Sequence, residues 1–216
     1  SRDKIVPGSP GDFSRLAGDL FAAADPRAQG TVDAGDPAWL RVSLAGDRTR
    51  TADADLWGLA SGHPRETFDV PRLGVEVAPH PRVRLAVGYS QAARGDTRLY
   101  TGSTAVRVWP AAAPAETAID LRASYAQVTG VRHLTLDTQS AEALVSRTWG
   151  RVLGYAGAGV VHGEAHLGSR FDYDARQTLG KFFAGGEAVW GGARVTAEVG
   201  ITGDRPWQAL RVSMGF

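Results

Sequence analysis

The sequence has no cysteine, a single methionine and almost no net charge, +1 with histidine neutral. Without thiols there is no disulfide framework and no thiolate metal site. Without a surplus of cations there is no basic face to track a phosphate backbone, so nucleic acid is not a partner. No run of about 18 apolar residues occurs, which excludes a membrane-spanning helix. The opening stretch SRDKIVPGSPGDFSRLAG has no apolar segment of the kind a secretory leader needs, so the chain is expected either to work in the cytosol or to be the processed form of an exported protein. Internal repeats and low-complexity tracts are missing too.

Glycine, at 27 residues, and tryptophan, at six, are the abundant types, and 216 residues suit one domain with at most a small extension. Residues 1–38 read apart from 39–216. Within DFSRLAGDLFAAADPRAQG, Phe13, Leu16, Ala17, Leu20 and Phe21 recur at helical spacing. Asp12 stands as N-cap and Pro26 as stop, which predicts a short amphipathic helix over 12–25.

From residue 39 the apolar period becomes two. Leu40, Val42 and Leu44 alternate with Arg41 and Ser43; Leu73, Val75 and Val77 with Arg72, Gly74 and Glu76; Val83, Leu85 and Val87 with Arg84, Ala86 and Gly88. The same rhythm returns over 119–125, 195–201 and 210–216, and less cleanly near 97–109, 135–149, 152–163 and 179–190. About ten strands follow. Their connections alternate between tight ones, such as 78–82, 149–152 and 190–193, and longer ones, such as 47–66 and 163–178, which is the pattern of an up-and-down meander.

A soluble barrel and a membrane barrel share this alternation but invert its faces. Three features favour the inverted form. The polar positions mix small residues with Arg41, Arg72, Glu76, Arg84, Arg107, Asp120, Arg122, Glu187, Arg194, Glu198 and Arg211, a set suited to a cramped, ion-paired lumen and to candidate pore lining; lysine, common on soluble edges, is nearly absent from the strands. Trp39, Trp109, Trp149, Trp190 and Trp207, with Tyr89, Tyr100 and Tyr125, fall at strand ends, as in an interfacial girdle. An even number of strands closes without edges, as lipid demands. The expected fold is therefore all-β, an antiparallel up-and-down transmembrane β-barrel of about ten strands over 39–216, with the helix of 1–38 as a plug in the lumen or a cap beneath it.

The closing WQALRVSMGF sharpens this. Leu210, Val212, Met214 and Phe216 alternate to a terminal aromatic, and the strand resembles the C-terminal strand of bacterial outer-membrane β-barrel proteins. That resemblance implies an outer-membrane location, an assembly signal read by the barrel-insertion machinery, outer-membrane lipid and lipopolysaccharide as surroundings, and tight turns on the periplasmic side. More loosely, a helix ahead of a barrel resembles plugged fatty-acid-transporter-like proteins and autotransporter translocator domains.

One polar cluster has the residue types of a reactive site. His162, Glu164 and His166 share one strand face and suit zinc binding or ester hydrolysis of the lipid A deacylase kind. No serine joins that face and the spacing is not that of a helical zinc motif, so a polar rim at the barrel mouth is the expectation, with no metal, no cofactor and no catalysis. Asp172 and Asp174 lack the remaining ligands of a calcium loop and read as solvated charge; His63, His80 and His133 fall in loops or strand ends. The function expected is structural, or a narrow channel for small or apolar solutes, since few strands leave little lumen. A lipid-modifying enzyme, a surface barrel binding a ligand through 47–66 and 163–178, and a translocator domain are the alternatives.

Overall fold

The two-residue rhythm produces ten strands: β1 (Leu40–Arg50), β2 (Thr67–His80), β3 (Val83–Gln91), β4 (Arg98–Trp109), β5 (Thr117–Thr129), β6 (Leu134–Trp149), β7 (Val152–Gly168), β8 (Asp172–Trp190), β9 (Ala193–Thr202) and β10 (Arg205–Gly215). In the computed structural model, which describes residues 7–32, 38–61, 64–91, 97–110, 116–131, 133–168 and 172–216, each strand pairs antiparallel with the next. β10 returns to β1, closing the barrel. The seam runs from Arg41 opposite Gly215 to Thr49 opposite Trp207, and the Phe216 amide donates to the Leu40 carbonyl at 2.9 Å. The last residue thus completes a ladder that would otherwise leave unpaired backbone in the wall.

Charge points inward and apolar side chains outward. On β10, Arg211 and Ser213 are buried while Leu210, Val212 and Met214 are exposed; on β1, Arg41 and Ser43 are buried while Val42 and Leu44 are exposed. This inversion is that of a membrane-spanning barrel. One end carries tight turns at 81–82, 150–151 and 191–192; the other carries the connection of 51–66 as well as a two-residue turn at 203–204. Trp39, Trp109, Trp149 and Trp190 ring the turn end and are 54–84% exposed. Tyr89 and Tyr100 pair further up the wall, ring centroids 5.5 Å apart.

β7 and β8, at 17 and 19 residues, exceed the roughly 9–11 that cross a bilayer. Their upper halves are strand, so the expected loop at 163–178 is shorter than the turn-rich sequence implied. β1 likewise extends to Arg50, and the connection to β2 contains a further helix, α2 (Ala54–Ser61). By contrast β9 and β10 stop early, at Thr202 and Arg205, so the wall is high on one side and low on the other.

The amphipathic segment forms α1 (Pro10–Ala24). Its N-cap is Ser9, whose hydroxyl accepts from the Asp12 amide at 3.1 Å, with Pro10 at the first helical position. This replaces Asp12 as the cap; Ser9-Pro10 satisfies the cap geometry one turn earlier. α1 lies within the barrel, not beneath it. Phe13, Ala17 and Phe21 are buried against Leu99, Leu136 and Leu167 of the tall side. Leu16 packs on Trp57 and Ala60 of α2, so the helix is held between wall and loop.

Candidate functional site

Residues 25–32 leave α1 as irregular chain outside any sheet, with left-handed backbone at Ala28 and Gly30. Buried backbone needs hydrogen-bond partners, and the wall supplies them from charged side chains. Near the loop end, Asp19 accepts from Arg205 Nε at 2.6 Å, from Trp57 Nε1 at 2.7 Å and from the Ala52 amide at 3.1 Å. Midway, Arg72 Nη2 donates to the carbonyls of Ala23, Ala24 and Asp25 at 3.1–3.3 Å. Arg211 Nη1 donates to the Gln29 carbonyl at 3.1 Å, and the Ala28 amide donates to Glu198 at 3.1 Å. Near the turn end, Arg122 reaches the Gly30 carbonyl at 3.2 Å, the Thr31 amide and hydroxyl both donate to Glu187 at 2.6 and 2.9 Å, and the Val32 amide donates to Asp120 at 2.9 Å.

The arm therefore descends the lumen in order. Its helical start is at the loop end and Val32 is close to the turn end, from which β1 rises.

All eleven charges singled out in the sequence lie buried on the inner face. Arg72, Asp120, Arg122, Glu187, Glu198 and Arg211 hold the arm directly. Others hold those: Arg107 pairs with Asp120 at 2.9 Å, Arg194 with Glu187 at 3.2 Å, and Glu76 bridges Arg84 and Arg211 at 2.5 and 2.9 Å. Arg41 lies at the turn end, 3.5 Å from the Gly192 carbonyl. Together they surround the arm along its descent.

Sequence reasoning missed the centre of this seat. Lys181, wholly buried, pairs with Asp25 at 2.6 Å and with Glu142 at 2.5 Å; Glu142 also pairs with Arg122 at 2.6 Å. Asp47, paired with Arg72 at 3.0 Å, and Arg205 were missed as well. The signal for Lys181 was parity: it shares the inward phase of β8 with Phe183 and Glu187. Trp207 is also corrected. It is buried in the lumen, not in the outer girdle, because it shares the inward phase of Arg211 on β10. Its ring lies 4.3 Å beneath the Arg27 guanidinium, and its indole N–H donates to Thr202 at 3.1 Å.

His162, Glu164 and His166 face outward on the upper part of β7, above the apolar Val160. Their partners lie along β8. His162 Nδ1 is 2.9 Å from Thr178 Oγ1, His166 Nδ1 is 2.9 Å from Asp174, and Arg176 is 3.4 Å from Glu164. His166 also lies 3.7 Å from Asp172, so both aspartates of the expected solvated pair flank an imidazole. The described residues contain no cluster of three or more metal-ligating side chains. His80 accepts from the Arg82 amide at a turn; His63 lies outside the described residues.

No protein-family model matches the sequence, and no curated protein sequence matches it. Solved structures do match. An outer-membrane channel from Pseudomonas putida F1 superposes with a TM-score of 0.50 at 13% identity, covering 89% of this chain and 99% of that one. The translocator domain of the autotransporter NalP from Neisseria meningitidis gives 0.46 at 10% identity over 98% and 99%, and the N-terminal β-barrel domain of OprF from Pseudomonas aeruginosa 0.40 at 14% over 82% and 97%. The likeness to the first is one of fold. The closed barrel and its outward apolar belt are those of a bacterial outer-membrane β-barrel.

Proposed function

We propose that the protein is a narrow channel plugged by its own N-terminal arm. The observation that carries this is the arm's path: residues 10–32 occupy the lumen from outer mouth to periplasmic end and are hydrogen-bonded at every level. Beside them along β1–β4 lie cavities of about 60 and 20 Å³, lined by small residues such as Ser43, Gly74, Ala86 and Ser103, and a wider recess of about 950 Å³ opens where Asp47 and Val70 lie near Glu198 and Ala209. Along β1–β4 this is room for a few water molecules, which admits small solutes in single file. A larger or apolar solute would pass only if the arm moved. In planar bilayers the full chain should give small, brief current steps, and Lys181→Ala, which removes the ion pair of Asp25 and leaves Glu142 with Arg122 alone, should give larger and noisier ones. Large steady steps from the full chain would contradict the proposal.

The arm's polarity favours a second reading. Its helical start faces outside, so the barrel holds that end of the arm at the cell surface, as a translocator would. An epitope tag placed before residue 1 should then be stained on intact cells; staining only after the outer membrane is breached would refute it. The reading gives no catalytic role to His162, Glu164 and His166, which pair with Thr178, Asp172, Asp174 and Arg176 of β8 and have no serine on their face. Lipid A should have the same mass profile with and without the protein. In its setting the apolar belt meets outer-membrane lipid and the polar rim meets lipopolysaccharide, while the barrel-assembly machinery reads Leu210, Val212, Met214 and Phe216 during insertion.

A further inference from the structure

Exposed charge on the outer wall gathers at the two margins of the apolar belt. At the loop margin carboxylates stand among the cations, as where Arg48 pairs with Asp69 at 2.6 Å and Arg176 with Glu164 at 3.4 Å. At the turn end the balance is different. There, among the described residues, the charged side chains that are not buried are Arg82, Arg147 and Arg151 against Glu116 alone. Arg82 spends Nε and Nη2 on the Arg107 carbonyl at 3.2 and 3.0 Å. The other two arginines stand at the foot of the β6–β7 hairpin. Arg147 lies in the outward phase of β6, between Val145 and Trp149 and opposite Thr117 of β5 and Gly154 of β7. Glu116, the carboxylate closest to it, is 4.0 Å away, with the two side chains 57 and 85% exposed. An exposed pair at that distance contributes little. Arg151, at the tip of the hairpin, is exposed and forms no ion pair among the described residues.

Aromatic rings frame these cations. The Trp149 indole lies close over Gly154, where a Cβ would stand 2.7 Å from the ring, so glycine lets the indole approach the wall. The Arg147 guanidinium is 5.9 Å from the centre of a Trp149 ring. The Arg151 carbonyl accepts from the Val189 amide at 3.4 Å, which sets Arg151 beside the end of β8 that carries Trp190. A cation on a lipid-facing wall is tolerated near the interface, where a long side chain reaches the headgroup layer. The counter-charge at that depth is the lipid phosphate, which a guanidinium meets with parallel donors. Two arginines against one carboxylate leave net positive charge, which favours a lipid of net negative charge over a zwitterionic one.

We propose that the foot of the β6–β7 hairpin is a binding site for the headgroup of an anionic phospholipid, such as phosphatidylglycerol, in the leaflet at the turn end. The phosphodiester accepts from Arg147, Arg151 supplies the second cation, and Trp149 and Trp190 flank the headgroup. An acyl chain then lies along the outward Ala156 and Ala158 of β7, whose side chains are too short to hold it off the wall. The inference does not depend on the arm and goes beyond the channel reading: one lipid has a fixed seat on the belt.

The test uses the full chain folded in uncharged detergent micelles and titrated with phosphatidylglycerol or with phosphatidylcholine of the same acyl chains. Native mass spectrometry counts the lipid retained by the folded barrel. Phosphatidylglycerol should be retained at lower concentration than phosphatidylcholine. Arg147→Gln and Arg151→Gln should each weaken its apparent affinity about fivefold, the worth of one basic side chain near an anionic surface. Arg176→Gln removes the same charge at the loop margin and should leave that affinity unchanged. All three side chains are exposed, so each variant should keep the gel mobility of the folded form. Equal retention of the two lipids, an undiminished affinity in Arg147→Gln, or an equal loss in Arg176→Gln overturns the site.

Discussion

At the scale of single residues, the lumen is governed by the cost of buried charge. Lys181 has no exposure and two carboxylate partners, one on the arm and one on β6. Breaking a buried pair from one side leaves its partner uncompensated, at about 3–5 kcal/mol. Lys181→Met should therefore lower unfolding stability in urea by about that amount. Lys181→Arg should lose less. Gly163 makes the complementary point about space. A Cβ there would stand 2.3 Å from the Phe21 ring, so only glycine lets the wall of β7 approach α1 so closely. Gly163→Val should loosen the arm and enlarge the current steps while leaving the folded form's gel mobility intact. On the outer face the expectations reverse. Leu44→Arg puts a cation in the apolar belt and should cost about 2–4 kcal/mol, whereas His162→Ala, above the belt, should change stability by less than about 0.5 kcal/mol.

At the scale of elements, the strands were legible because each was read by a single rule of alternation, which survives wherever one face is charged. It blurred on β7 and β8, where Gly180 interrupts the outward phase and the inward phase carries Gly157, Gly159 and Gly185 in place of charge, and there the strands proved longer than their pattern. α1 was legible from its apolar stripe. α2 was not: ADLWGLAS is too short to declare a helix alone and is held by Trp57, which packs on α1 and donates to Asp19. The arm's path was illegible because its partners are remote, Thr31 and Glu187 being 156 residues apart. The inner charges could be found by parity, but nothing local says that they face a peptide rather than water. Trp57→Ala removes the α2 clamp and the donor to Asp19. It should expose the upper half of α1 to proteolysis on intact cells, seen as a new cleavage before Phe21, while the barrel remains resistant.

At the scale of the whole molecule, a barrel of ten strands has to fill its interior, and this one fills it with its own chain. The arm supplies apolar packing on the tall side, α2 covers it from the low side, and paired charges bind it further down. Such an interior explains why a chain with near-zero net charge carries so many arginines inside: they serve backbone carbonyls that no sheet can reach. The direction of the arm is the central claim, and single-cysteine labelling tests it most directly, since the native chain has no cysteine. Ser9→Cys, at the start of α1, is treated with a membrane-impermeant maleimide on intact cells, with Thr31→Cys as the buried control. A threaded arm requires that Ser9→Cys be labelled on intact cells and Thr31→Cys be protected. Labelling of Ser9→Cys only after the outer membrane is permeabilised would place the start of the arm in the periplasm and contradict the threading.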